Sequence, residues 1–205
     1  ESAFTVGEAV RTRALWLLML AASAQSMVST GLMFHQISLF GSRGLSSATA
    51  AGVFGVIAPA MIAGQFLSGF LADRYPLRYM VAAAQLSITA SVLFVFLISA
   101  PWHAFLYGAI LGLTVGFLMN SMMAIWPLYY GRQHLGSIRG VAQFASMAAS
   151  AAGPLPLAIA FDVTNSYNAG LVIFAVVPLA CGVAALLAIR PRAPGSTLTP
   201  ASFES

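Results

Sequence analysis

The spacing of its few charged residues limits what this chain can fold into. No Asp, Glu, Lys or Arg lies between Arg13 and Arg43, between Arg43 and Asp73, between Arg78 and Arg132, between Arg139 and Asp162, or between Asp162 and Arg190. A helix needs about 20 predominantly apolar residues to cross the hydrocarbon of a bilayer. Four of these gaps fit one crossing each, and the gap from Arg78 to Arg132 fits two, divided by a turn at Ser99-Ala100-Pro101-Trp102-His103. Composition agrees, with 60% hydrophobic and only 7% charged residues, where a soluble domain carries about 25% charged. A soluble chain of this size could not hide so much apolar surface in its own core, so lipid must cover the rest. A membrane β-barrel would show short alternating segments, not long unbroken apolar runs. The expected fold is an all-α polytopic membrane protein with six transmembrane helices at about 14–38, 46–72, 77–98, 103–129, 136–161 and 167–189.

The net charge of +4 does not point to nucleic acid. All nine basic residues are Arg, and they sit at the ends of the expected helices rather than in a patch. With an even number of crossings both termini share one side. That side collects Arg11, Arg13, Arg74, Arg78, Arg132, Arg139, Arg190 and Arg192, against Arg43 alone on the other. Positive residues are retained in the cytoplasm, so both termini are expected there, in a multi-pass protein of a bacterial inner (plasma) membrane. Residues 1–13 read as a cytoplasmic lead-in, amphipathic from Glu8 to Arg13, and 190–205 as a disordered Pro-, Ser- and Thr-rich tail. The first residue is Glu1, and the chain is expected to begin further upstream. Cys181 is the one cysteine, so no intrachain disulfide can form.

Enzyme signatures are missing. In Gly41-Ser42-Arg43-Gly44 the serine stands in the wrong place for an intramembrane serine protease, and there is no HExxH. His35, His103 and His134 lie at helix ends with no carboxylate at ligand spacing, and without lysine there can be no phosphate-binding P-loop. No enzyme activity, cofactor or metal is called for.

A solute path is better supported. Buried polar side chains are costly in lipid and usually face a bundle interior or a wet cavity. Gln25, Ser29 and Gln36 fall within about 40° of one another on the first helix, with His35 beside them. Tyr107, Thr114 and Ser121 share a face of the fourth helix next to Asn120, and Gln143, Ser146, Ser150 and Gly153 share a face of the fifth. We expect Gln25, Ser29, His35, Gln36, Asn120, Ser121 and Gln143 to line a cavity. No carboxylate lies mid-membrane, so a proton relay within these helices would fall to His35. Gly108, Gly112 and Gly116 repeat every fourth residue, the pattern of close helix packing. Pro59 and Pro178 should bend their helices, and Gly153-Pro154-Leu155-Pro156 marks a weak point in the fifth.

Gly69-Phe70-Leu71-Ala72-Asp73-Arg74-Tyr75-Pro76-Leu77-Arg78 resembles the major facilitator signature that joins the second and third helices of each six-helix half. It departs at Pro76, where Gly is usual, and at Leu77, where a basic residue is usual. Three later segments resemble the last three helices of bacterial major facilitators: Tyr130-Gly131-Arg132-Gln133-His134-Leu135-Gly136-Ser137-Ile138-Arg139-Gly140, Gly153-Pro154, and Phe161-Asp162 with Ser166-Tyr167. Within them, the monocarboxylate and oxalate/formate porters look most similar. The resemblance implies the C-terminal half of a twelve-span transporter whose halves rock about a midplane site. Its partners would be the bilayer, the N-terminal half, and a small solute such as a monocarboxylate, with a proton or counter-solute. It also implies a cytoplasmic gate of Gly69, Asp73, Arg74 and Arg78 with Arg132 and Arg139 beside it, Asp73 attracting a helix N-terminus of the other half. The alternative is a non-transporting membrane module: a sensor, an assembly partner or a degenerate half.

Overall fold

A computed structural model describes residues 4–191, all of whose regular structure is helical. A short α1 (Val6–Val10) precedes α2 (Arg13–Gly41), α3 (Ser47–Ala72) and α4 (Leu77–Phe94), which tightens into a 3-10 turn over Val95–Leu97. Then come α5 (Pro101–Tyr130), α6 (Leu135–Ala152), α7 (Pro154–Thr164) and α8 (Asn168–Leu186). Six helices are long and apolar enough to cross a membrane, α6 and α7 together making the fifth at Leu135–Thr164. The all-α, six-span reading therefore holds. Most of the expected tail, including Arg192, lies outside the described residues.

Local chemistry sets the boundaries. Thr5 and Glu8 close a capping box on α1, and the hydroxyls of Thr12 and Ser46 cap α2 and α3 by accepting from Leu15 N–H and Thr49 N–H. Pro101 opens α5, since proline suits a first turn where its missing N–H is not needed. Gly131 (φ 76°) ends α5 and Asn165 (φ 51°) ends α7, both in the left-handed region. α3 and α8 run through Pro59 and Pro178, and Gly153, with right-handed helical dihedrals (φ −52°, ψ −45°), joins α6 to the Pro154 start of α7.

α3 and α5 approach each other backbone to backbone. A Cβ on Gly108 would stand 2.5 Å from Val53 Cγ1, and Cβ atoms on Gly112 and Gly116 would overlap the carbonyl oxygens of Ile57 and Met61. Gly64 of α3 returns the contact against the Leu113 carbonyl. Backbones can touch here because Gly64, Gly108, Gly112 and Gly116 carry no side chains at the points of contact.

Both described ends meet at one end of the bundle, where Phe4 N–H donates to Tyr130 O (3.1 Å) and Tyr129 Oη to Ala188 O (2.8 Å). The apolar core forms two clusters, one around Leu18, Tyr130 and Ile138 near that end and one around Leu32, Tyr107 and Phe174 towards the other. Along their helices Gln25, Gln85 and Thr114 fall between the clusters, so a polar waist lies mid-bundle. The outside is apolar: Phe66 and Phe144 are each 77% exposed, which water would not favour and lipid or another membrane surface would.

Candidate solute cavity

At the waist, α2, α5 and α6 line an open cavity of about 500 Å³. Its walls differ in character. From α2 come Gln25, Ser26 and Ser29, and from α6 come Arg139, Gln143 and Ser146, whereas α5 contributes an apolar face of Met119, Met122, Met123 and Trp126. One wall set can hydrogen-bond; the other offers soft, polarisable, adaptable surface.

Gln25 is the most telling of these residues. It is only 5% exposed, and neither its amide nitrogen nor its amide oxygen has a partner. A buried polar group left unpaired costs about 1–3 kcal/mol, so the amide stands out among the residues of this wall. Ser29 turns its hydroxyl back to Gln25 O at 2.7 Å and contributes mainly shape. Arg139, grouped with the gate on sequence grounds, lines this cavity and is the one charged side chain among the residues that do. Its Nη2 rests against Met123 Sδ, a weak acceptor for a guanidinium.

Gln25, Ser29 and Gln143 are thus brought together; the other cavity candidates stand elsewhere. Gln36 is fully buried and donates to Ala50 O of α3 at 2.7 Å. His35 donates from Nε2 to Pro154 O (3.1 Å), since a carbonyl only accepts, and packs against Tyr167. Ser121 shares a 2.9 Å hydrogen bond with Ser68, to which Asn120 also donates at 3.4 Å. The methionine wall escaped the sequence reading, although Met119, Met122 and Met123 crowd one short segment. So did Ser68 and Gln85, the latter donating to Ala21 O at 2.6 Å across the waist.

The gate candidates cluster at the end of the bundle that holds the described termini. Asp73 is exposed at the C-terminal cap of α3, Arg74 lies over the Phe70 ring (4.3 Å), and Arg78 lies over Tyr79 (4.8 Å) and donates to its hydroxyl. Gly69 faces Asn120, whose Nδ2 would be 3.8 Å from an added Cβ. Arg132 is exposed in the turn between α5 and α6. Among the described residues no three His, Cys, Asp or Glu side chains gather as a metal site.

The family model for the Major Facilitator Superfamily matches residues 17–204, which takes in all six crossing helices except the first turn of α2. The chain belongs to the Major Facilitator Superfamily. A search of curated proteins found no match. Membership of this superfamily makes the chain a multi-pass membrane protein of the secondary-transporter class, not an enzyme, and gives the cavity its context. In such transporters solute sites lie near the bilayer midplane; Gln25 stands near the middle of α2, between the two apolar clusters.

Proposed function

We propose that this chain is the C-terminal half of a secondary active transporter that carries a small organic anion, such as a monocarboxylate, across a bacterial plasma membrane by alternating access. The observation that carries this reading is the mid-bundle cavity with the unpaired amide of Gln25 in its wall. A buried amide with no protein partner is rewarded only when a solute or water supplies one. The one charge on the wall is positive, which favours an anion. An N-terminal six-helix half supplies the facing wall, the two halves rock about the site, and a proton or counter-solute provides the drive.

In this reading both termini are cytoplasmic, following the arginines gathered at their end. Gly69, Asp73, Arg74 and Arg78 form the inner gate, with Arg132 beside it. Asp73 is exposed and free to meet a helix N-terminus of the other half. Each conformation is favoured by the contacts made only in it, so breaking the gate contact shifts the inward–outward balance.

Uptake of labelled formate, oxalate, lactate and pyruvate by the full-length protein in proteoliposomes, with and without a pH gradient, tests the reading. We expect uptake of a carboxylate that rises with the gradient. If none is taken up, the anion assignment fails. Unchanged transport rates after Asp73→Asn and Arg74→Gln would remove the gate.

A further inference from the structure

We infer that Arg43, with Ser166 and Asn168 of the turn into α8, forms a site for a phosphate group at the end of the bundle remote from the described termini, and that this phosphate belongs to a membrane phospholipid. The site is separate from the solute cavity and does not rest on the transport reading. Only its leaflet, the outer one, follows from the orientation proposed above.

Arg43 stands apart from the other arginines, as the one expected on the side where positive residues are depleted. A cation kept there calls for an anionic partner. The protein does not supply one: Arg43 lines an open pocket of about 230 Å³ between the end of α2 and the α7–α8 turn, and no other residue that lines it is charged. Among the described residues its one side-chain hydrogen bond goes from Nη2 to Asn168 Oδ1 at 3.1 Å, a neutral acceptor that occupies one of the five N–H donors of the guanidinium. The Phe96 ring, 5.5 Å from Cζ, supports the head from another side. Ser166 Oγ accepts from Asn168 N–H at 3.2 Å, and among the described residues nothing accepts from the Ser166 hydroxyl or the Asn168 amide NH2. Asn165 brings a second amide to the same pocket. Free donors and a positive charge suit an oxyanion with several acceptor oxygens, and the guanidinium fork matches phosphate.

Depth in the membrane decides where the phosphate comes from. Arg43 stands two residues beyond the end of α2 at Gly41, and Asn168 is the first residue of α8. The pocket therefore lies where two crossing helices leave the hydrocarbon, which is the level of the lipid headgroups. Phospholipid phosphates are concentrated in that layer, whereas a soluble anion has to reach it from bulk water. Phe161 and Tyr167, stacked at 4.7 Å, give the pocket an aromatic wall, the kind of side chain that settles at membrane interfaces. Pockets that enclose a whole small molecule hold about 300–1,000 Å³, so 230 Å³ suits a headgroup whose chains stay outside. A phosphate shared by Arg43 and by Ser166 and Asn168 ties the end of α2 to the start of α8.

Thermal unfolding of the delipidated full-length protein in maltoside detergent tests the site, with phosphatidylglycerol, phosphatidylethanolamine, a monoglucosyl diacylglycerol of the same chains, or inorganic phosphate added back. Both phospholipids should raise Tm more than the glucosyl lipid does, and inorganic phosphate should leave it unchanged. Arg43→Gln should need about tenfold or more phospholipid for half the effect, the worth of a hydrogen bond to a charged group. Arg43→Lys should fall between, since it keeps the charge and loses the fork. Asn168→Asp sets a carboxylate against the guanidinium, so it should weaken the phospholipid response without lowering the Tm of the lipid-free protein. Should Arg43→Gln fail to fold, Asn168→Asp and the four additives on the unmodified protein carry the test. An unaltered phospholipid response in Arg43→Gln and Asn168→Asp would overturn the site. A glucosyl lipid as effective as the phospholipids would overturn phosphate as the group bound, and stabilisation by inorganic phosphate equal to theirs would overturn the lipid as its source.

Discussion

Gly31 of α2 and Gly153, at the break between α6 and α7, meet so closely that a Cβ on Gly31 would lie 2.5 Å from the Gly153 carbonyl oxygen. The contact is mutual, for a Cβ on Gly153 would lie 2.5 Å from Met27 O and 3.1 Å from Gly31 N. It is flanked by a 2.7 Å hydrogen bond between Thr30 and Ser150 and by the bond from His35 to Pro154 O. The fifth crossing is thus pressed against the first at Gly153, and polar contacts on both sides hold the joint.

Gly31→Ala should destabilise the protein. The added methyl meets backbone on one side and the Phe174 ring at 2.6 Å on the other, an overpacking that costs about 1–3 kcal/mol. Replacing glycine in a helix returns only about 0.5–1 kcal/mol. Thermal unfolding of the detergent-solubilised protein should show a lowered Tm, and a raised Tm would mean that the joint is not tight.

The seam between α3 and α5 allows a comparison within one helix pair. Gly116→Ala would drive a methyl into the Met61 carbonyl, where there is no side chain to swing aside. Gly55, in the same α3, has nothing within 4 Å of an added Cβ. Gly116→Ala should therefore lower stability by about 1–3 kcal/mol, while Gly55→Ala should be neutral or gain up to about 1 kcal/mol from helix propensity. Denaturant titration of both variants gives the sign of each, and equal effects would argue against backbone contact in the seam.

The six crossings were legible because solvent decides them. A charge-free run longer than the bilayer is a local property, and all six helices lie over such runs. Pairings between helices are not local. Gln25 and Gln36 share a face of α2, yet they are eleven residues apart, or about 16 Å along the axis at 1.5 Å per residue. Each therefore meets a different neighbour: Gln25 faces the cavity, and Gln36 the backbone of α3. Periodicity gives the face and is silent on what stands opposite. Arg139 illustrates the same limit, because only the packing of α6 on α2 and α5 brings it to the cavity wall.

The lead-in helix makes a pH prediction. Glu8 accepts from Thr5 N–H and Thr5 Oγ1, both at 2.8 Å, and these bonds hold its carboxyl below its ordinary value. A carboxylate whose folded pKa is lowered contributes stability that is fully present above its unfolded pKa of about 4.3 and lost as pH falls through the folded value. Amide exchange at Glu8 and Ala9 should therefore be slow at neutral pH and accelerate relative to α2 below about pH 4. Glu8→Gln should exchange faster than the unmodified protein at neutral pH, and the difference should vanish in acid. A difference that persisted at low pH would mean the box contributes nothing through charge.

The two glutamines of α2 should respond oppositely to the same substitution. Gln36 spends its amide N–H on Ala50 O, so Gln36→Leu removes a buried bond between α2 and α3 and should cost about 0.5–1.5 kcal/mol, with transport following stability. Gln25 makes no such bond. Gln25→Leu replaces an unpaired buried amide by an apolar group of similar size, and should leave the protein as stable or more stable by about 1–3 kcal/mol. If the amide serves a solute, uptake should still fall by about tenfold, because the solute loses one or two hydrogen bonds. Stability and uptake must be measured on the same preparation. Loss of both together in Gln25→Leu would make Gln25 a structural residue whose partner lies outside this six-helix bundle, and retention of both would remove it from the solute path.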